Sequence, residues 1–232
     1  MLRQLFKDSF FYSLPAIFGQ GVAVFLIPLY TRVLSPADYG VLDLLLMFGS
    51  LANLVVAFEV SQGVARFHVE QDSRQGQIEL ASTALWFSVG CYLLFLGLSW
   101  HFAEPLAQWL LGSSERAGIF REGLLMISIH GIYLLLQNQF RWELQSRRYA
   151  FANVLTTSLT MGGSVLLAWY LEYGLHGILL ARIVGEAIGS IFCAWRLAGS
   201  FGFTFALPKL KTMLWFSVPL IPSSISVFVS LY

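Results

Sequence analysis

The chain has 232 residues, of which 57% are hydrophobic and 12% charged, with a net charge of +1 and a mean hydropathy of +0.70. So few polar groups cannot cover an aqueous globule, and lipid is the expected solvent. The small net charge, with basic residues gathered on no single face, points away from nucleic acid as a partner.

A bilayer core of about 30 Å is crossed by about 20 apolar helical residues. Seven stretches meet that length: residues 10–31, 40–66, 78–100, 119–140, 151–171, 175–196 and 213 onward. The fold class is therefore all-α, a polytopic transmembrane helix bundle. Arg3 and Lys7 precede the first stretch, which is longer than a signal-peptide core and lacks a small-residue cleavage site, so it reads as a retained span. It carries Gln20, expected to hydrogen-bond between helices, and Arg32 at its far end. Pro15 and Pro28 remove backbone donors and can kink it.

Ser35-Pro36-Ala37-Asp38 has the chemistry of a helix start: a serine cap, a proline in the first turn and an acid three residues on. The second span follows, with Asp43 and Asn53. Glu59, Gln62 and Arg66 form one stripe in its later half if the helix is continuous. After the third span, "EPLAQWLLG" is too short to cross and reads as an interfacial helix with Trp109 at headgroup level. The fourth span places His130, Gln137 and Arg141 on one face. In the sixth, Gly177, Ala181, Gly185 and Gly189 recur every four residues, a seam for close helix approach. Arg182 and Glu186 stand one position further round. They form either a self-neutralising pair or a cavity-lining cation tuned by its neighbour. An ionised group at a helix centre costs about 2.5–3.5 kcal/mol on insertion scales, so it normally faces protein or a wet cavity. Cys91 and Cys193 lie in apolar runs and read as small hydrophobes, so neither a disulfide nor a metal site nor a cofactor is expected.

With the N-terminus inside, the cytoplasmic side collects Arg3, Lys7, Arg66, Arg74, Arg141, Arg147, Arg148, Arg196, Lys209 and Lys211, against Arg32, Arg116 and Arg121 outside. That bias orients the chain with a cytoplasmic N-terminus. The opening "FYSLP" (Phe11 to Pro15) returns as "WFSVP" (Trp215 to Pro219), each with a lysine four residues upstream, Lys7 and Lys211. Six crossings bring the chain back to the cytoplasmic side, so the seventh span restarts in the orientation of the first, as a parallel repeat requires. The expected organisation is a six-helix lobe over residues 1–198, a cytoplasmic linker over 199–211, and at 212–232 the first, truncated helix of a second lobe.

Three stretches carry a resemblance: "IPLYTRVLSPADYG" (Ile27 to Gly40), "PLAQWLLG" (Pro105 to Gly112) and "FSVPLIPSSIS" (Phe216 to Ser226). The chain resembles, over essentially its whole length, the polysaccharide (O-antigen and capsule) flippases of the multidrug/oligosaccharidyl-lipid/polysaccharide (MOP) exporter superfamily. The resemblance implies a fold of twelve to fourteen helices in two lobes around a central cavity. It implies movement of undecaprenyl-diphosphate-linked oligosaccharide from the inner to the outer leaflet of the bacterial plasma membrane. Polysaccharide polymerase and chain-length proteins are the expected partners.

A lipid pyrophosphate needs a fixed, forked cation, which arginine supplies. Arg182 and Arg32 are the first candidates for that contact, with Arg66 and Arg141 at the cytoplasmic mouth. Glu186 and Glu59 would orient the arginines or bind a coupling proton or sodium ion, with Gln20 and His130 as supporting polar groups. The alternatives are a cation-coupled multidrug antiporter of the same superfamily and a membrane-embedded glycan polymerase or ligase. No GxxxxGK[ST], HExxH or GxSxG occurs, so an enzyme is not expected.

Overall fold

The helices follow from runs of apolar residues that satisfy their own backbone, the only open-chain solution in lipid. A computed structural model describes residues 2–231, with side chains described for residues 9–230; the side chains of Arg3 and Lys7 lie outside that range. In order stand α1 (Leu2–Val33), α2 (Pro36–Val55), α3 (Val60–Phe67), α4 (Arg74–His101), α5 (Ala103–Leu111), α6 (Ala117–Trp142), α7 (Ser146–Ser164), α8 (Gly174–Arg196), α9 (Leu207–Ser217) and α10 (Ile221–Leu231). Among the described residues seven segments are long and apolar enough to cross a membrane, matching the seven expected spans. Short α5 buries Ala103, Ala107 and Leu111 one turn apart and leaves Trp109 77% exposed.

The start of α2 follows its sequence signal. The Ser35 hydroxyl accepts from the Asp38 amide at 3.1 Å and donates to the Asp38 carboxylate at 2.7 Å. The continuous second span does not hold. It breaks after Val55, where Phe58 and Glu59 take left-handed backbone (φ 52° and 51°), and resumes as α3. Left-handed backbone is strained for residues with a Cβ, so something must hold it there. The Ser217 hydroxyl of α9 donates to the Phe58 carbonyl at 2.8 Å. Gly63 also lets α9 close in: a Cβ built on it would stand 2.9 Å from the Met213 Cα. Glu59 therefore leads α3 at the break and shares no unbroken helical stripe with Gln62 and Arg66.

The two matched pentapeptides also part company. α1 runs as one helix through Pro15 and Pro28, whereas Val218–Leu220 tightens to a 3-10 turn between α9 and α10. Pro219 and Pro222 delete two donors three residues apart, and the tighter turn accommodates that loss. The fifth span ends in a π-helical turn, Val165–Tyr170.

The core packs α6 against α8, α7 and α4, with α2 and α5 closing one side. The seam between the fifth span and α8 is as close as the glycine stripe predicts: a Cβ on Gly177 would lie 2.7 Å from the Ala168 amide nitrogen and the Leu167 carbonyl carbon of the π-helical turn. At the end holding residues 67–74, 142–146 and 197–206, Arg74 reaches Glu143 at 3.2 Å and the Ser200 hydroxyl at 3.0 Å. Lys209 binds Glu79 and the Gly76 carbonyl, both at 2.9 Å. The 197–206 segment is strapped to α4 because the Ser82 and Thr83 hydroxyls accept from the Gly202 and Ala206 amides at 2.8 and 3.0 Å. At this end burial holds His68 below its ordinary value, with Glu143 opposing. Burial raises Glu143, but hydrogen bonds from Ser200 and Gln139, together with Arg74, outweigh it and leave the carboxyl below its ordinary value. The opposite end carries a His176–Glu122 contact at 2.9 Å.

Candidate functional site

Arg182 and Glu186, one turn apart on α8, do meet: Arg182 Nε donates to Glu186 Oε1 at 3.1 Å. His130 joins them from the middle of α6, its Nδ1 2.9 Å from the same oxygen. Glu186 is 5% exposed, and its second oxygen, Oε2, is buried without a hydrogen-bond partner among the described residues. Only Nε of the guanidinium is engaged, so among the described residues the two terminal nitrogens of Arg182 carry no bond. Four N–H donors thus remain for a ligand. The pair is at once a neutralised couple and a cavity-lining cation, joining the two readings the sequence left open.

The cluster opens on a cavity of about 360 Å³ bounded by α1, α2, α6, α7 and α8, where Tyr30, Tyr133, Gln137 and Thr157 add polar groups. Beside it a space of about 240 Å³ lies between Arg182 and the Gly49–Asn53 stretch of α2. A third, of about 310 Å³, extends to Glu59 at the helix break. His130 lines all three. The site centre lies near mid-helix in both α6 and α8, the depth at which transporters with broken helices bind their cargo.

The other candidates stand apart. Glu59 lines the third space and makes no ion pair among the described residues, so it orients none of the arginines. Arg66 pairs with exposed Glu70 and lies over the Phe67 ring. Arg141 bonds Asn138 at 3.4 Å and lies over Tyr149. Arg32 and Gln20 are exposed and line none of these spaces. Sequence reasoning missed Ser88, Tyr92 and Tyr30 as lining groups; the small polar residues of α4 within an apolar run were the available signal for Ser88. Tyr92 donates to Asn53 Oδ1 at 2.7 Å, joining α4 to α2.

Comparison with known proteins places the fold. A solved MOP superfamily transporter from Pyrococcus furiosus, described as having a binding pocket of reversed polarity, superposes with a TM-score of 0.75 at 18% identity over 97% of this chain and 54% of its own. A multidrug resistance MATE family transporter in an outward-facing conformation gives 0.76 at 18% over 97% and 54%. A Vibrio cholerae MATE transporter variant gives 0.74 at 13% over 96% and 53%. The chain spans about half the length of these solved transporters. No curated protein matches it in sequence. The sequence profile of the family described as "Polysaccharide biosynthesis protein" matches residues 29–231, nearly all of the chain. This polypeptide, with its MOP-type helical fold and charged mid-depth cluster, belongs to that polysaccharide biosynthesis protein family.

Proposed function

We propose that the chain is the N-terminal part of a flippase that carries undecaprenyl-diphosphate-linked oligosaccharide from the cytoplasmic to the outer leaflet of the bacterial inner membrane by alternating access. The observation that carries this reading is the unspent guanidinium fork of Arg182, held by buried Glu186 and facing a mid-depth cavity whose largely apolar wall carries a few polar groups. A fork of parallel N–H donors matches pyrophosphate oxygens, and a desolvated site strengthens each charge-assisted bond. Family membership supplies the polysaccharide context. In this scheme residues 1–198 form one lobe, 199–211 a cytoplasmic linker, and 212–232 open the second lobe, with the N-terminus cytoplasmic. Arg66 and Arg141 attract the headgroup at the cytoplasmic mouth, Arg32 meets it at the outer end, and Gln20 stays outside the path. Glu186 and His130 exchange the coupling cation as the lobes rock, and polymerase and chain-length proteins take the product.

The test replaces Arg182 by Ala in the full-length protein and measures translocation of lipid-linked oligosaccharide to the outer leaflet, with dye efflux in parallel. Charge-assisted hydrogen bonds contribute about 1.5–3 kcal/mol, so affinity for the lipid pyrophosphate should fall about 10- to 100-fold while insertion is unchanged. Normal glycan translocation in that variant would refute the reading. Efflux of a cationic dye lost together with Glu186 would favour the drug antiporter instead.

A further inference from the structure

Within a mainly apolar wall, the third space carries polar side chains unusual for membrane depth: Ser50, Asn53, Glu59, Ser88, Tyr92 and His130. It adjoins the Arg182 site, because Ser50, Asn53 and His130 also line the intervening space with Arg182. The hydrogen-bond balance of these groups is readable. Ser50 spends its proton on the Leu46 carbonyl at 2.9 Å, and Tyr92 spends its own on Asn53 Oδ1 at 2.7 Å, so both oxygens are left as acceptors. The Glu59 carboxylate adds acceptors. The Asn53 amide nitrogen and the Ser88 hydroxyl remain donors. Ser88 is 1% exposed, and its Oγ has no hydrogen-bond partner among the described residues. A buried hydroxyl without a partner costs free energy, which a ligand in this space would recover.

The mixture discriminates among ligands. A bare cation needs acceptors only and would face the Asn53 amide and the Ser88 proton. An anion needs donors and would meet the Glu59 carboxylate. A ring of hydroxyls, each able both to donate and to accept, matches acceptors and donors together. The volume of about 310 Å³ falls at the lower end of small-molecule sites. Resting on the flippase reading above, we infer that this chamber is the saccharide subsite: the pyrophosphate sits on Arg182 and the sugar attached to it enters the space between α2, α4 and α6. The break at Phe58 and Glu59 then has a use, because it turns a carboxylate into the chamber where a continuous helix would fix a different direction. Asn53, Ser88 and Glu59 thereby become determinants of which sugar is accepted, while Arg182 reads the part common to all such lipids.

The experiment uses the purified protein in nanodiscs, titrated with two probes: undecaprenyl diphosphate, and the oligosaccharide-bearing form extracted from the same cells. The variants are Ser88→Ala, Glu59→Gln and Arg182→Ala. Ser88→Ala removes a hydroxyl with no hydrogen-bond partner among the described residues, so folding is preserved. The wild type should bind the glycan-bearing probe more tightly. Ser88→Ala and Glu59→Gln should each cut that preference by about 2- to 10-fold, the range for one lost hydrogen bond, and leave affinity for the bare lipid unchanged. A preference unaltered in both variants, or equal binding of the two probes by the wild type, overturns the saccharide subsite and leaves the flippase reading standing. Unchanged binding of the bare lipid by Arg182→Ala overturns the flippase reading instead, so the two failures are distinguishable.

Discussion

Removing the Glu186 carboxylate should destabilise the bundle, and removing Arg182 with it should restore the loss. In Glu186→Met, Arg182 keeps its charge, loses its counter-ion at 3.1 Å, and stays within the protein with its side chain 31% exposed. Breaking a buried pair from one side costs about 3–5 kcal/mol, and the 31% exposure of the Arg182 side chain places this case near the lower end, about 3 kcal/mol. For a chain of this size about 2–4 °C of Tm accompanies each kcal/mol, so the midpoint should fall by about 6–12 °C. The double variant Arg182→Met/Glu186→Met removes both charges at similar volume and should return to within about 1 kcal/mol of the wild type. Thermal unfolding in detergent, followed by the loss of monodisperse protein, reads both. On the flippase reading proposed above, translocation by the full-length protein should be lost in the double variant even though stability returns. A single variant as stable as the wild type, or a double variant no better than the single, would refute the claim that these charges stabilise each other.

Two further outcomes follow from other parts of the fold. Gly177→Ala puts a Cβ 2.7 Å from backbone atoms of Leu167 and Ala168, which cannot swing aside, so the Tm should drop by the equivalent of about 1–3 kcal/mol of overpacking. Gly90→Ala, with open space around it on α4, should gain about 0.5–1 kcal/mol from helix propensity; equal Tm values for the two variants would refute close packing of α8 on the π-helical turn of the fifth span. His68 and Glu143 both lie below their ordinary values of 6.5 and 4.5, so each contributes stability that is complete above that value and lost as pH falls through its lower folded pKa. A plot of Tm against pH should therefore decline in two stages. His68→Gln should remove the first and Glu143→Gln the second, and an unchanged profile in both would remove these groups from the cause.

What the sequence made legible was whatever is written within a few residues. The seven apolar runs, the Ser35–Asp38 cap and the Arg182–Glu186 spacing are local patterns, and each reappears in the structure. His130 meets Glu186 across 56 residues of chain, and no local pattern encodes that meeting. The break in the second span was equally hidden, because Val56, Ala57, Phe58 and Glu59 include no proline or glycine. Its cause is tertiary: Ser217 captures the Phe58 carbonyl, and Gly63 admits Met213. The arginines illustrate the opposite error. Arg66 and Arg141 looked like part of polar stripes, yet their lengths carry them to the bundle end, where Glu70 and Asn138 take them up.

The hydroxyl of Ser217 gives the seventh span a fixed axle. Lifting it away would leave the Phe58 oxygen without this donor, a loss of about 1–3 kcal/mol. Rolling about the contact avoids that loss. One bond thus ties the crook of the second span to the start of the seventh.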